Sequence, residues 1–199
     1  MPGKPLLLLA TNNKGKLREY RELLKDIPFK MVSLADQGIT AEVAEIGKSF
    51  EENATLKATT MASLSGLLTL ADDSGLEVDV LDGEPGSRSH RYAGDNASDA
   101  DRVNFLLQKL KDVSELQRTA QFRCVIAIAE PTGRVELCSG ICRGVITTGP
   151  RGSGGFGYDP IFYLPELGKT IAELTLAEKN LISHRARAAE QARAKLLEW

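Results

Sequence analysis

Residues 67–83, LLTLADDSGLEVDVLDG, place two adjacent aspartates, Asp72 and Asp73, where an apolar run ends. Neighbours on a strand point to opposite faces, so both carboxylates reach solvent only if the strand stops there. Ser74-Gly75 reads as that stop. Carboxylates at the end of a buried strand can hold a divalent cation and orient a water; the same residues also make an ordinary polar turn. Ser49 and Glu52 have capping-box spacing, which predicts a helix with Phe50, Ala54, Ala58 and Met61 on its apolar face. Lys57 falls on that face. A lysine there needs an anionic partner, either the aspartates or a phosphate, unless its stem carries it to the rim. Glu42 and Glu45 precede the cap, and either could give a cation another carboxylate.

Three further stretches could bind a ligand. ATNNKGK, residues 10–16, lies between an apolar strand and a helix start, where amides and the helix dipole favour anions. Thr11, Asn13, Lys14 and Lys16 supply polar and cationic groups, although the P-loop pattern is absent. The glycine-rich GPRGSGGFGYDP, residues 149–160, lets backbone approach a ligand closely, and Phe156 and Tyr158 offer stacking surfaces or simply tuck beneath the loop. Lys179, Ser183, His184 and Arg185 fall in a basic amphipathic segment that reads equally well as a solvated helix. SRSHRYAGD, residues 87–95, is as ambiguous.

The elements that must position these residues alternate between strand and helix. Leu6 to Ala10 reads as a buried strand and a helix follows from Lys16, with Leu17, Tyr20, Leu23 and Leu24 inward. FKMVSL, Leu67–Ala71 and Glu77–Leu81 read as strands, and a helix is expected from about Ser98. QFRCVIAIAE and RVELCSGICRGVI flank a Pro-Thr-Gly turn as an antiparallel hairpin, PIFYL is a short strand, and helix runs from about Thr175 to the end. The prediction is an α/β or α+β fold with a mixed sheet.

The chain has 199 residues, 42% of them hydrophobic, which suits one domain over 1–199. A net charge of −2 gives no global field for nucleic acid. No apolar stretch approaches the length of a membrane span, and the N-terminal run is too short for a signal h-region, so the expectation is a cytoplasmic protein. Cys124, Cys138 and Cys142 form no disulfide framework and read as buried reduced thiols.

Taken together, LATNNKGKLRE, FEENATLKA, ADDSGLEVDVLDGEPG, RYAGDNASD, GGFGYDPIF, GKTIAELTLAEK and ISHRARA resemble the inosine triphosphate pyrophosphatases, also called dITP/XTP pyrophosphatases. The resemblance runs from residue 9 to 188, with one departure, His90 where alanine is expected. It implies an elongated, two-lobed α/β structure around a long mixed sheet with the active site in a central cleft. It implies hydrolysis of non-standard purine nucleoside triphosphates (ITP, dITP, XTP) to monophosphate and pyrophosphate, with Mg2+ as cofactor, in a homodimer. On this resemblance Thr11, Asn13 and Lys16 hold the triphosphate beside Lys57, and Glu45 and Asp73 bind magnesium with Asp72 close by. Asp73 is the general base and Ser74 contacts substrate. Phe156, Gly157, Tyr158, Asp159, Lys179, His184 and Arg185 bind the base.

Overall fold

The computed structural model describes residues 3–199. It contains a seven-stranded sheet in the order β2-β1-β3-β4-β5-β6-β7. The strands are β1 (Leu6–Leu9), β2 (Lys30–Ser33), β3 (Leu68–Val78), β4 (Thr119–Ala129), β5 (Val135–Ile146), β6 (Phe162–Leu164) and β7 (Lys169–Thr170). β1 pairs in parallel with β2 and β3, whereas β5–β6 and β6–β7 pair antiparallel, so the sheet is mixed as the sequence predicts. β4 and β5 are neighbours joined by so short a link, closed by Glu130 N–H on the Arg134 carbonyl at 2.9 Å, that only a hairpin is open to them.

The chain divides into two compact units. The first comprises residues 1–73, 124–140 and 185–199. Here β1 is buried on both faces, and its alternation sorts the core. Leu7 and Leu9 join Tyr20 and Leu24 of α1 (Lys14–Leu23) and its C-cap, and Ala188, Ala189, Ala192 and Leu196 of α5 (His184–Leu197). Leu8 and Ala10 join Phe50, Ala54, Ala58, Met61 and Ala62 of α2 (Phe50–Ser65). Period-2 strands between period-3.6 helix stripes thus produce a sheet covered on both sides. α2 begins at Ser49, whose hydroxyl accepts the Glu52 N–H, and ends at Gly66 in the left-handed conformation.

The second unit comprises residues 74–123 and 141–184. Its core gathers Leu76 and Val78 of β3, Val103, Leu106 and Leu110 of α3 (Asp99–Lys109) and its C-cap, Phe122 of β4, and Phe162 and Ile171. α4 (Leu176–Ile182) closes the unit.

Three expectations about elements are corrected. β3 does not stop at Ser74-Gly75; it runs through to Val78, and Glu77–Leu81 is its end followed by a short 3-10 turn over Asp79–Leu81. Gly75 serves a different purpose: a Cβ there would lie 2.2 Å from the Gly86 carbonyl and 2.5 Å from Ser89 Oγ, so the glycine admits a close-packed turn over Gly86–Arg91. α1 starts two residues earlier than predicted, at Lys14, because Asn13 caps it. The C-terminal helix is two helices, α4 and α5, broken where Ser183 takes extended backbone.

Candidate active site

In the first unit the end of β1, the middle of β3 and the first turns of α2 bring the predicted residues together. Asp72 and Asp73 are both buried, at 2% and 4% exposure, inside a continuous strand. Burying two adjacent carboxylates demands partners on both faces, and both have them. On one face the Lys16 ammonium lies 2.9 Å from Asp72 Oδ2, and Arg185 Nε lies 3.8 Å from the same oxygen. On the other, Asp73 Oδ1 lies 3.8 Å from Lys57 Nζ and its Oδ2 accepts Asn53 Nδ2–H at 3.0 Å. Lys57 also donates to Glu45 Oε1 at 2.8 Å and to the Asp72 carbonyl at 2.5 Å. The lysine thus turns inward to anions rather than snorkelling, and Glu45, not the exposed Glu42, is the carboxylate it meets.

The environments push the two aspartates apart. Burial alone would raise the Asp72 carboxyl, but Lys16, Arg185 and Lys57 more than offset it and hold it well below the usual carboxylate range. Burial also raises Asp73, and there the nearby Glu45 helps it outweigh Lys57, so Asp73 is lifted above its ordinary value. One carboxylate is locked as an anion and its neighbour is the more basic, the pattern of a structural anchor beside a proton acceptor. Burial would lower the Lys57 ammonium, but Asp73, Asp72 and Glu45 raise it, so it stays charged.

Thr11, Asn13 and Lys16 surround the start of α1. Asn13 N–H donates to Thr11 Oγ1 at 3.2 Å, and Asn13 Oδ1 accepts the Lys16 N–H at 3.0 Å. Asn13 therefore serves first as the helix cap, while Lys16 reaches Asp72.

Glu45 and Asp73 supply hard oxygen donors, and both converge on the single point taken by Lys57 Nζ. Among the described residues no three His, Cys, Asp or Glu side chains gather as a ready-made metal site. Two carboxylates are nonetheless what a magnesium ion uses when phosphate oxygens and water complete its shell. The donor set fits Mg2+ on that basis.

Arg185 is placed differently from the base-reading role implied by the resemblance. It is 1% exposed, donates to Glu19 Oε2 at 2.6 Å, and lies against the Tyr20 ring. A guanidinium gripped in this way holds Asp72 and Glu19. Glu19, Arg185, Asp72 and Lys16 form a buried run of alternating charge that the sequence did not reveal. Cys124 lies beside it, 3.8 Å from Asp72 Oδ2, and burial together with that carboxylate pushes its thiol up to about 12.

In the second unit the glycine-rich loop builds a separate cluster. Asp159, 2% exposed, accepts the Phe156 N–H at 2.8 Å and the Lys179 ammonium at 2.6 Å with one oxygen. Lys179 Nζ stands 4.7 Å from the centre of the half-buried Phe156 ring. Gly155 takes φ +71°, and a Cβ there would strike Asp159 Oδ2 at 2.1 Å, so only glycine lets the carboxylate under the loop. The Gly157 N–H donates to Asp99 Oδ2 at 2.7 Å, and the buried Tyr158 hydroxyl donates to the Ser89 carbonyl at 3.0 Å. The backbone amides of Phe156 and Gly157 are thus spent within the protein. His184 is buried and stacks on Phe122, with centroids 4.7 Å apart at 14°. Ser74 is half-buried in β3 directly after Asp73. His90 is exposed, and its carbonyl accepts from Arg102 at 2.9 Å.

Comparison with known proteins places these features. Residues 7–195 match the Ham1 family. A dITP/XTP pyrophosphatase of Geobacter sulfurreducens is 53% identical over 182 residues, covering 92% of this chain and 92% of its own. Another from Bacillus subtilis is 45% identical over 191 residues, covering 96% of each. Among solved structures, a HAM1 protein from Coxiella burnetii superimposes with a TM-score of 0.89 at 43% identity, over 98% of this chain and 100% of that one. A nucleoside-triphosphatase / dITP/XTP pyrophosphatase from Mycobacterium abscessus gives 0.75 at 40% identity, over 98% and 100%.

Proposed function

Since the chain belongs to the Ham1 family, we propose that it hydrolyses non-standard purine nucleoside triphosphates (ITP, dITP and XTP) to the monophosphate and pyrophosphate, with Mg2+. One observation carries the reading: Lys57, turned inward from α2, engages the Asp73 and Glu45 carboxylates together. In this proposal Asp73 takes a proton from the attacking water. Lys57, Lys16, Thr11 and Asn13 receive the triphosphate, and Asp72 fixes Lys16 and Arg185 in place. Glu45 and Asp73 hold the magnesium, which when bound offsets charge on the phosphate oxygens. Ser74 contacts the substrate. Phe156 offers a ring for stacking, and Gly157, Tyr158, Asp159, Lys179 and His184 frame the purine. A homodimer working in the cytoplasm completes the proposal; sedimentation tests the dimer. No described helix is long and apolar enough to cross a membrane.

The test is pyrophosphate release from ITP, dITP, XTP, GTP and ATP, each with Mg2+ and with excess chelator. Magnesium-dependent release from the first three is expected. Release that ignores chelator, or equal rates on ATP and ITP, would overturn it.

A further inference from the structure

Asn53 sits one turn before Lys57 on α2 and is 1% exposed. Its side-chain amide is used at both ends. Oδ1 accepts the Gly47 N–H at 2.8 Å, and Nδ2 donates to Asp73 Oδ2 at 3.0 Å. The first bond orients the second: a backbone N–H claims the carbonyl end, so the NH2 end must face the carboxylate. Gly47 belongs to the irregular segment that carries Glu45. A Cβ on Gly47 would lie 2.7 Å from Asn53 Oδ1 and 2.7 Å from Glu52 Cβ, so the segment is pressed against the amide where only glycine fits.

Nothing in α2 itself asks for asparagine here. It is a weak helix former, and the neighbouring core positions Phe50, Ala54 and Ala58 are apolar. A buried amide replacing an aliphatic side chain is explained by its two partners. Through them, one residue of a helix is joined to both carboxylate-bearing elements, the strand β3 with Asp73 and the segment with Glu45.

We propose that Asn53 is a positioning residue. It engages Asp73 Oδ2, so that Oδ1 is the oxygen turned to Lys57, and it tethers the Glu45 segment at a fixed distance from Asp73. The proposal rests on the reading of Asp73 and Glu45 as reaction-centre carboxylates, and it adds a residue that does not itself touch substrate.

Three variants of the full chain test it. Asn53→Asp keeps the shape and the acceptor for Gly47 N–H but replaces the donor with an oxygen that repels Asp73. Asn53→Ala removes both bonds. Gly47→Ala presses on the amide from outside and leaves Glu45, Lys57 and Asp73 untouched. Displacing a reacting group by about an ångström costs roughly 100-fold. Asn53→Asp should therefore lower kcat on ITP about 10- to 100-fold with KM little changed. Amide exchange at Gly47, read by NMR, should quicken in Asn53→Ala and stay slow in Asn53→Asp. Gly47→Ala combined with Asn53→Ala should cost less than the sum of the two, since both act through one contact. Should Asn53→Asp fail to fold, the kcat of Asn53→Ala decides in its place. A wild-type kcat in the folded variant would overturn the proposal, as would Gly47 exchange unaffected by Asn53→Ala. Loss of ITP hydrolysis by the wild type itself would sink the pyrophosphatase reading instead, while the Gly47 exchange still tests the tether.

Discussion

Arg185 and Glu19 meet at 2.6 Å with both side chains sealed from solvent, although 166 positions separate them in the chain. Removing one member of such a buried pair strands the other, at a typical cost of about 3–5 kcal/mol. Arg185→Ala should therefore lower the unfolding free energy by that order, read as a lower urea midpoint, and weaken the grip on Asp72. Glu19→Gln, which keeps an acceptor, should cost less. Undiminished stability in Arg185→Ala, together with weaker ITP binding, would return Arg185 to the role of base reader.

Asp72 predicts how stability responds to acid. Its folded pKa is depressed below the unfolded value near 3.9, so the folded chain gives up that proton more readily than the unfolded one. The stabilisation is fully present above about pH 4 and is lost as pH falls towards the folded value. Urea midpoints of the wild type should drop steeply below about pH 4. Asp72→Asn should start lower at neutral pH, because Lys16 and Arg185 lose their anion, and then decline more shallowly. Parallel curves for the two proteins would show that Asp72 is not the titrating group.

Asp73→Asn should fold, since the site still offers Asn53 a hydrogen-bonding side chain. Turnover should fall by about 10²–10⁴-fold with the loss of the base. Lys57→Met matches the stem length and keeps the α2 face packed, yet leaves Glu45 and Asp73 facing each other without their shared cation. A comparable loss of kcat is expected. Near wild-type turnover of ITP by either variant would remove that residue from the mechanism.

The sequence disclosed the residues whose signals are local and hid those whose partners are distant. Lys57 was legible because period 3.6 puts it among Phe50, Ala54 and Met61, an inward position that implies an anion. The hairpin was legible from its alternation and turn. The course of β3 was not: Ser74-Gly75 has turn chemistry, yet the strand continues, and Gly75 instead gives room to the later turn packed onto it. The burial of Arg185 depends on Glu19, far along the chain, and no short-range pattern announces it. Asn53 did leave a signal. It lies four positions before Lys57, hence on the same helix face, and a second polar residue on an apolar stripe is a reason to look for a shared partner.

The last prediction concerns how the purine is read. ITP and XTP present an oxygen at the 6-position where ATP presents an amino group, so a donor placed there pairs with the first two and opposes the third. The backbone amides of Phe156 and Gly157 cannot supply it, because Asp159 and Asp99 already hold them. The candidate is Lys179, a buried ammonium that donates to Asp159 and stands beside the Phe156 ring on which a base would stack. A site built around a buried donor can reach discrimination on the order of 10⁴-fold, whereas an apolar pocket manages about 10²-fold. Lys179→Met should therefore cut kcat/KM for ITP far more than for ATP and bring their ratio towards one. Because the change also leaves Asp159 without its cation, Asp159→Asn belongs beside it; that variant keeps an acceptor for Lys179 and should preserve most of the preference. Equal losses on ITP and ATP in Lys179→Met, with the ratio intact, would mean that the lysine holds the loop together and that the 6-position is read by another group.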